Sequence, residues 1–164
     1  MFLDESRCNT DMTRRYAYSL GGSRAVDSAP LSKPKNTTIL SSIQLDGTLR
    51  YTTFSGGTTV ERFKRYLETD LLPHLNGNSV LIMDNMKSHH AKAVKNLLDS
   101  SEIRYIYLPP YSPDLNPIEK LWSKVKAFLR KFKARMLDAL PNAIQNAFHS
   151  VTISDCSGWF RFCG

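Results

Sequence analysis

Residues 105–132, YIYLPPYSPDLNPIEKLWSKVKAFLRKF, place a strand pattern, a proline-rich turn, a carboxylate and a basic amphipathic helix in one short run. Ile118, Leu121, Trp122, Val125, Phe128, Leu129 and Phe132 recur at i, i+3, i+4, i+7, i+10, i+11 and i+14. That is one face of a 3.6-residue period, so the spacing predicts a helix over 117–133. Asn116 reads as its N-cap, Pro117 as the first helical residue and Glu119 as N3, completing an Asn-x-x-Glu capping box. This gives Glu119 an ordinary role, since a glutamate at N3 reaches back to the N-cap amide and suits the positive end of the helix dipole. The lead-in argues for more. Four prolines within 109–117 fix φ and bias their predecessors to extended backbone. A capped surface helix has no need of such rigidity, whereas a carboxylate serving a metal does.

Composition narrows the class. A chain of 164 residues can bury one core without room for a second sizeable domain, so 1–164 reads as a single domain. An apolar fraction of 41% and a charged fraction of 23% suit a water-soluble globular chain. No apolar run approaches the roughly 18 residues of a membrane span, and the N-terminus lacks an export-signal pattern. Cys8, Cys156 and Cys163 are odd in number and lack CxxC spacing, which argues against a disulfide scaffold or structural zinc and for a reducing cytoplasm. The formal net charge is +7, and its placement says more than its size. Lys120, Lys124, Lys126, Arg130, Lys131, Lys133 and Arg135 fall within sixteen residues without an intervening acid. Such a ridge fits contact with a phosphate backbone. It also fits the wet face of an amphipathic helix.

Elsewhere, residues 1–4 read as the end of a short apolar strand, and the alternation at 15–20 as a second strand segment. Residues 21–36 are polar and rich in glycine and proline, a loop pattern. Residues 37–45 and 49–54 form a hairpin pair around Asp46-Gly47, a type I′ turn signal. A capping box Thr58-x-x-Glu61 opens a helix lined by Val60, Phe63, Leu67 and Leu71 that Pro73 stops. Residues 79–84 are a continuous apolar run ending in Asp84, the pattern of a buried parallel strand. A helix over 91–100, a second buried-type strand over 103–108 and the 117–133 helix follow. A short helix near 141–148 precedes a Ser/Gly/aromatic tail. The expected fold is α/β, a mixed five-stranded sheet with three antiparallel strands, then two helix-separated parallel ones, flanked by helices.

Asp4 and Asp84 each follow an apolar strand, the end at which open α/β sheets bind ligands, and Glu119 opens the next helix. If the first and fourth strands are neighbours, the three acids converge. Like charges so placed repel unless cations neutralise them, and hard oxygen donors suit Mg²⁺ or Mn²⁺. Alone, each acid is a weak signal. Asp84 before Asn85 could cap a turn, and Glu5 competes with Asp4.

Taken together, the motifs resemble the DDE-type catalytic domain of mariner-like and bacterial insertion-sequence transposases, a ribonuclease-H-like fold. The matching stretches are FLDES at 2–6, LIMDN at 81–85 with His89 following, and LPPYSPDLNPIEKLW at 108–122. The 34 residues from 85 to 118 match the interval used by that family when its third acid is glutamate. The resemblance extends to the tail DCSGWFRFCG. It implies a metal-binding catalytic triad of Asp4, Asp84 and Glu119 holding two Mg²⁺ or Mn²⁺ ions. It also implies hydrolytic nicking at element ends, then attack of a 3′-hydroxyl on target DNA. Asp114 lies in the lead-in, outside the family's acid position. His89 matches a position near the site and reads as a helix-start or DNA-phosphate contact, beside a DNA surface of Lys120, Lys124, Lys126, Arg130 and Lys131. Asn85, Tyr111, Pro113, Asn116 and Pro117 would shape the site.

In one respect the chain departs from that family, whose members carry N-terminal helix-turn-helix segments; this sequence begins about where the catalytic domain begins. An upstream helix-turn-helix partner segment, a homodimer and double-stranded DNA are the expected partners, in the nucleoid-associated cytoplasm of a bacterium. One alternative is a catalytically impaired fragment that only binds DNA or aids assembly. Another is a nuclease for RNA–DNA hybrids, against which the proline block argues.

Overall fold

Side chains alternate across β1 (Phe2–Cys8), and this decides how the sheet is sided. Phe2 and Cys8 pack on one face, Leu3 on the other. The computed structural model describes residues 1–14, 16–28, 34–133 and 136–163. Around β1 are β2 (Thr37–Ile43), β3 (Leu49–Ser55), β4 (Val80–Met83) and β5 (Arg104–Tyr107), in the order β3-β2-β1-β4-β5. β1, β2 and β3 pair antiparallel; β1–β4 and β4–β5 pair parallel. The expected mixed sheet is present, with the first and fourth strands as neighbours.

Each face is covered by helices. α1 (Val60–Tyr66), a π turn at Leu67–Leu71 and α2 (Lys92–Ser100) bury Phe63, Tyr66, Leu67, Leu71, Val94 and Leu98 against Leu3, Leu40, Leu81 and Met83. α3 (Ile118–Phe132), α4 (Leu140–His149) and α5 (Ile153–Cys163) cover the other face. The stripe of α3 is buried at Ile118, Leu121, Trp122, Val125 and Leu129, each such side chain contributing roughly 1.5–3 kcal/mol. Phe132 is half exposed where the helix ends. Among the described residues no helix is long and apolar enough to cross a membrane.

Several expectations need correction. β1 does not end at Asp4: it runs on to Cys8 because β2 continues to pair with it, Asp4 opposite Ser41. The parallel ladder with β4 does stop at Leu3–Met83, so Asp4 sits at the edge of a half-finished ladder. Residues 16–20 are not a strand; Tyr16, Tyr18 and Leu20 are exposed, and position 15 lies outside the described residues. β5 is an edge strand rather than a buried one, and Ile106 is half exposed. The cap of α1 is Thr59, one residue later than expected, its hydroxyl accepting from Arg62 N–H. The aromatic tail is helical: Thr152 and Asp155 exchange hydrogen bonds in a reciprocal cap, and α5 continues through Gly158.

The β2–β3 hairpin forms, with a different turn. Gly47 N–H donates to Gln44 C=O at 3.2 Å and Gln44 N–H to Thr48 C=O at 3.0 Å. The loop is therefore Leu45-Asp46-Gly47, a three-residue connection whose last residue must take positive φ; Gly47 has φ 89°. A Cβ there would meet Ile153 Cγ1 of α5 at 2.9 Å. Gly47→Ala is expected to destabilise the chain by about 1–3 kcal/mol, measured by equilibrium urea unfolding; an unchanged midpoint would show the turn to be unstrained.

Candidate active site

The three acids arrive from three elements. Asp4 shares the β1 face of Phe2 and Cys8, which points it at α3, and it is 6% exposed. Its Oδ1 accepts from Glu5 N–H at 2.7 Å and its Oδ2 from Trp122 Nε1–H at 3.0 Å. Asp84 follows the last residue of β4. Its Oδ1 lies 2.7 Å from His89 Nδ1 and accepts from Met86 N–H at 3.3 Å. Glu119 stands in the first turn of α3 and is exposed. Together they line one cavity of about 400 Å³, walled further by Asn85, Met86, residues 108–113 and Asn116. Glu5, one residue on and so directed to the opposite face, is not among these walls.

Burial raises the Asp4 carboxyl to about 7; the Glu5 amide and Trp122 indole pull it down, and the charges of Asp84 and Glu119 push it up. A carboxyl held so high among others is half-neutralised without a cation. Among the described residues no three acid, histidine or cysteine side chains gather tightly enough to enclose one ion. The acids line a cavity rather than close on a point. Their chemistry, three carboxylates with a buried one that charge would stabilise, fits a hard divalent cation that keeps waters and other oxygen ligands.

The capping box predicted for α3 does not form. The helix starts at Ile118, Pro117 occupies the cap position, and no side chain caps it. Asn116 is buried with its Oδ1 unpaired. Backbone bonds from Glu119 N–H to Asn116 C=O and from Lys120 N–H to Pro117 C=O, both 3.1 Å, close the first turn instead. The Pro113–Leu115 3₁₀ turn is followed by Asn116 in extended backbone and then by the helix, whose first turn the backbone closes by itself, so Glu119 is not tied back to a cap.

Other expected residues divide. Asn85 bonds through its side chain to His90 and, with Tyr111, Pro113 and Asn116, lines the cavity; Pro117 is buried beside it and does not. Tyr111 takes φ 59° and is fully exposed. His89 cannot touch a DNA phosphate, because it is completely buried beneath Asp84. The basic ridge splits between two flanks of α3. Lys120 lies over the Phe162 ring and Lys124 bonds Asp155 at 2.5 Å, both toward α5, and Lys124 with Thr152 holds Asp155 down to about 2. Lys131 shares that flank by its spacing. Lys126 and Arg130, at i+7 and i+11 from Glu119, follow the flank of the acid. Lys126 lies near Cys8, whose thiol burial pushes up to about 11. Arg130 lies beside Arg14 and Tyr16. Arg135 falls outside the described residues. The residue that sequence reasoning missed is Trp122, read only as apolar; a tryptophan at i+3 from the acid, on the core-facing side, was the available signal.

With this geometry the chain is similar to known transposases. The Tc1 transposable element transposase of Caenorhabditis elegans is 28% identical over 97 residues, 57% of this chain and 36% of that protein. The Mos1 transposase paired-end complex with the left transposon end superposes at a TM-score of 0.82 and 19% identity, over 99% of this chain and 51% of Mos1. The Mos1 mariner paired-end complex with Mn gives 0.78, also at 19%, over 99% and 51%. This chain thus spans about half of Mos1 and, in the aligned part, about a third of Tc1. The structural likeness establishes the fold, the ribonuclease-H-like mixed sheet. The model of the DDE superfamily endonuclease family matches residues 1–140, which contain Asp4, Asp84 and Glu119, and the chain belongs to that family.

Proposed function

We propose that this chain is the catalytic domain of a transposase, cutting double-stranded DNA at element ends and joining the freed 3′-hydroxyl to target DNA. The observation that carries the reading is the meeting of Asp4, Asp84 and Glu119 in one cavity, inside the stretch that matches a DDE endonuclease family. These carboxylates would hold two Mg²⁺ or Mn²⁺ ions. Bound there, the ions would activate water or a 3′-hydroxyl and stabilise the leaving oxygen of an in-line displacement at phosphorus. The chain's own part is positional. The β1–β4 junction sets Asp4 beside Asp84, the Trp122 bond holds α3 against β1, and residues 108–113 wall the cavity. Recognition of specific ends by an upstream helix-turn-helix segment, and pairing with a second copy, belong to the same proposal.

Asp4→Asn, Asp84→Asn and Glu119→Gln are each expected to lower the rate of Mn²⁺-dependent nicking of supercoiled DNA by more than about 100-fold. DNA binding without nicking by the unaltered chain would instead assign it as an assembly module.

The raised Asp4 carboxyl makes a second test. A group whose folded pKa exceeds its unfolded value of 3.8 leaves stability untouched below that value. It costs stability as pH climbs toward about 7, with the full cost present above it. Without metal the melting temperature should fall from pH 5 to pH 8. Saturating Mn²⁺ should raise it by about 5–10 °C at pH 8 and by less at pH 5, and Asp4→Asn should flatten both responses. A melting temperature indifferent to Mn²⁺ at pH 8 would remove the metal from the reading.

The split ridge yields a third. Lys126→Ala should reduce the slope of log affinity for duplex DNA against log salt by about 1. Lys124→Ala should change it far less, because that charge is already paired with Asp155. A larger slope change for Lys124→Ala than for Lys126→Ala would place DNA on the other flank.

A further inference from the structure

The loop after β4 carries a histidine whose ring has one polar neighbour, and that neighbour is an acid of the site. His89 is 0% exposed and stacks on Phe63 with ring centroids 4.2 Å apart and planes 25° from parallel. Its carbonyl accepts from the Tyr107 hydroxyl at 3.0 Å, which ties the loop to β5. Nδ1 lies 2.7 Å from Asp84 Oδ1 and 3.3 Å from the Asp84 carbonyl oxygen. Nε2 is buried and has no partner among the described residues.

Packing alone does not explain a histidine here. A phenylalanine would fill a ring-shaped space against Phe63 without stranding a nitrogen, and a buried unpaired polar atom costs about 1–3 kcal/mol. What the imidazole adds is the Nδ1–H donated to Asp84. Stacked, buried and tethered through Tyr107, that donor has little freedom to turn.

We infer that His89 is a positioning residue, whose Nδ1–H fixes the rotation of the Asp84 carboxylate and leaves Oδ2 as the oxygen available to a divalent cation. This rests on the reading of Asp84 as a metal-holding acid. Outer partners of ligating carboxylates act in this way, and their loss lowers metal affinity or activity by about 10–100-fold.

Two substitutions separate the bond from the packing. His89→Asn keeps an N–H donor near the place of Nδ1 and discards the ring. His89→Phe keeps the ring and discards the donor. Mn²⁺ affinity is measured by electron paramagnetic resonance titration of the whole chain, folding by thermal melting with circular dichroism, and nicking on supercoiled DNA. For a positioning residue, His89→Phe should fold yet bind Mn²⁺ about 10–100-fold more weakly, with nicking reduced in step. His89→Asn should stay within a few-fold of the unaltered chain. If His89→Phe does not fold while His89→Asn folds and binds Mn²⁺ normally, the inference stands, because the ring is then dispensable. The reverse ranking, with His89→Phe normal and His89→Asn defective, overturns it, as does failure of both variants to fold. Asp84→Asn is run alongside. If it binds Mn²⁺ normally, the reading of Asp84 fails. If it loses Mn²⁺ while His89→Phe keeps it, only the role of His89 fails.

Discussion

A buried hydrogen bond from Trp122 Nε1 to Asp4 Oδ2, 3.0 Å long and spanning 118 positions of sequence, joins the helix of the third acid to the strand of the first. Glu119 and Trp122 are three residues apart on α3, so the bond that seats the indole also sets where the first turn of the helix stands over the sheet. Its partner is well chosen for the purpose. Asp4 points to the α3 face because its parity in β1 matches Phe2 and Cys8, and the core around Trp122 contains Cys8 itself. A slip of α3 by one turn, about 5.4 Å, would strip the carboxylate of its indole and carry Glu119 out of the cavity. The stripe of Ile118, Leu121, Val125 and Leu129 resists that slip in bulk; the Trp122 bond gives it a register.

The same bond answers an electrostatic problem only in part. Burial lifts the Asp4 carboxyl to about 7, and the two other acids push in the same direction, against the amide and indole that bring it down. In a fold whose net stability is on the order of 5–15 kcal/mol, a buried carboxylate of this kind is a local liability. Apolar packing elsewhere must carry it: two separate cores, one on each face of the sheet, do so. Placing the buried carboxyl on the α3 face, at the point where the β1–β4 ladder stops, opens it toward the cavity that Asp84 and Glu119 also line. A cation arriving there would relieve repulsion that the chain itself leaves in place.

How much of this could be read from sequence depends on whether the signal was local. The 3.6-residue stripe of α3, the apolar run of β4 and the hairpin signal at Asp46-Gly47 are local, and each produced its element. The convergence of the acids followed from strand order and needed only that β1 and β4 be neighbours. What failed was decided by context beyond each short pattern. Asn116 has the composition of a cap, yet it is buried with its Oδ1 unpaired and the backbone closes the first turn of the helix without that side chain. Ile106 belongs to an apolar run, but β5 stands at the edge of the sheet. Gly158 and the serine-rich context hid α5, although Thr152 and Asp155 spelled a cap. His89 could not be placed without knowing that Phe63, twenty-six positions earlier, would stack on it.

The basic residues of α3 show why charge counted along a sequence misleads about charge presented by a surface. Seven cations in sixteen residues look like one ridge, but a helix distributes them around its axis, and α5 occupies one side. There Asp155 pairs with Lys124 and Lys120 lies over the Phe162 ring, so these side chains hold α5 against α3. At the C-terminal end Lys133, in a left-handed conformation at φ 54°, pairs with Asp27 and anchors the long β1–β2 connection. The cations left on the flank of Glu119 are Lys126 and Arg130, with Arg14 beside the latter. That flank carries Glu119, which lines the cavity of the acids, whereas the other flank faces α5. The helix therefore divides its cations between two sides: one is given over to packing against α5, and the side that continues from the acid carries Lys126 and Arg130.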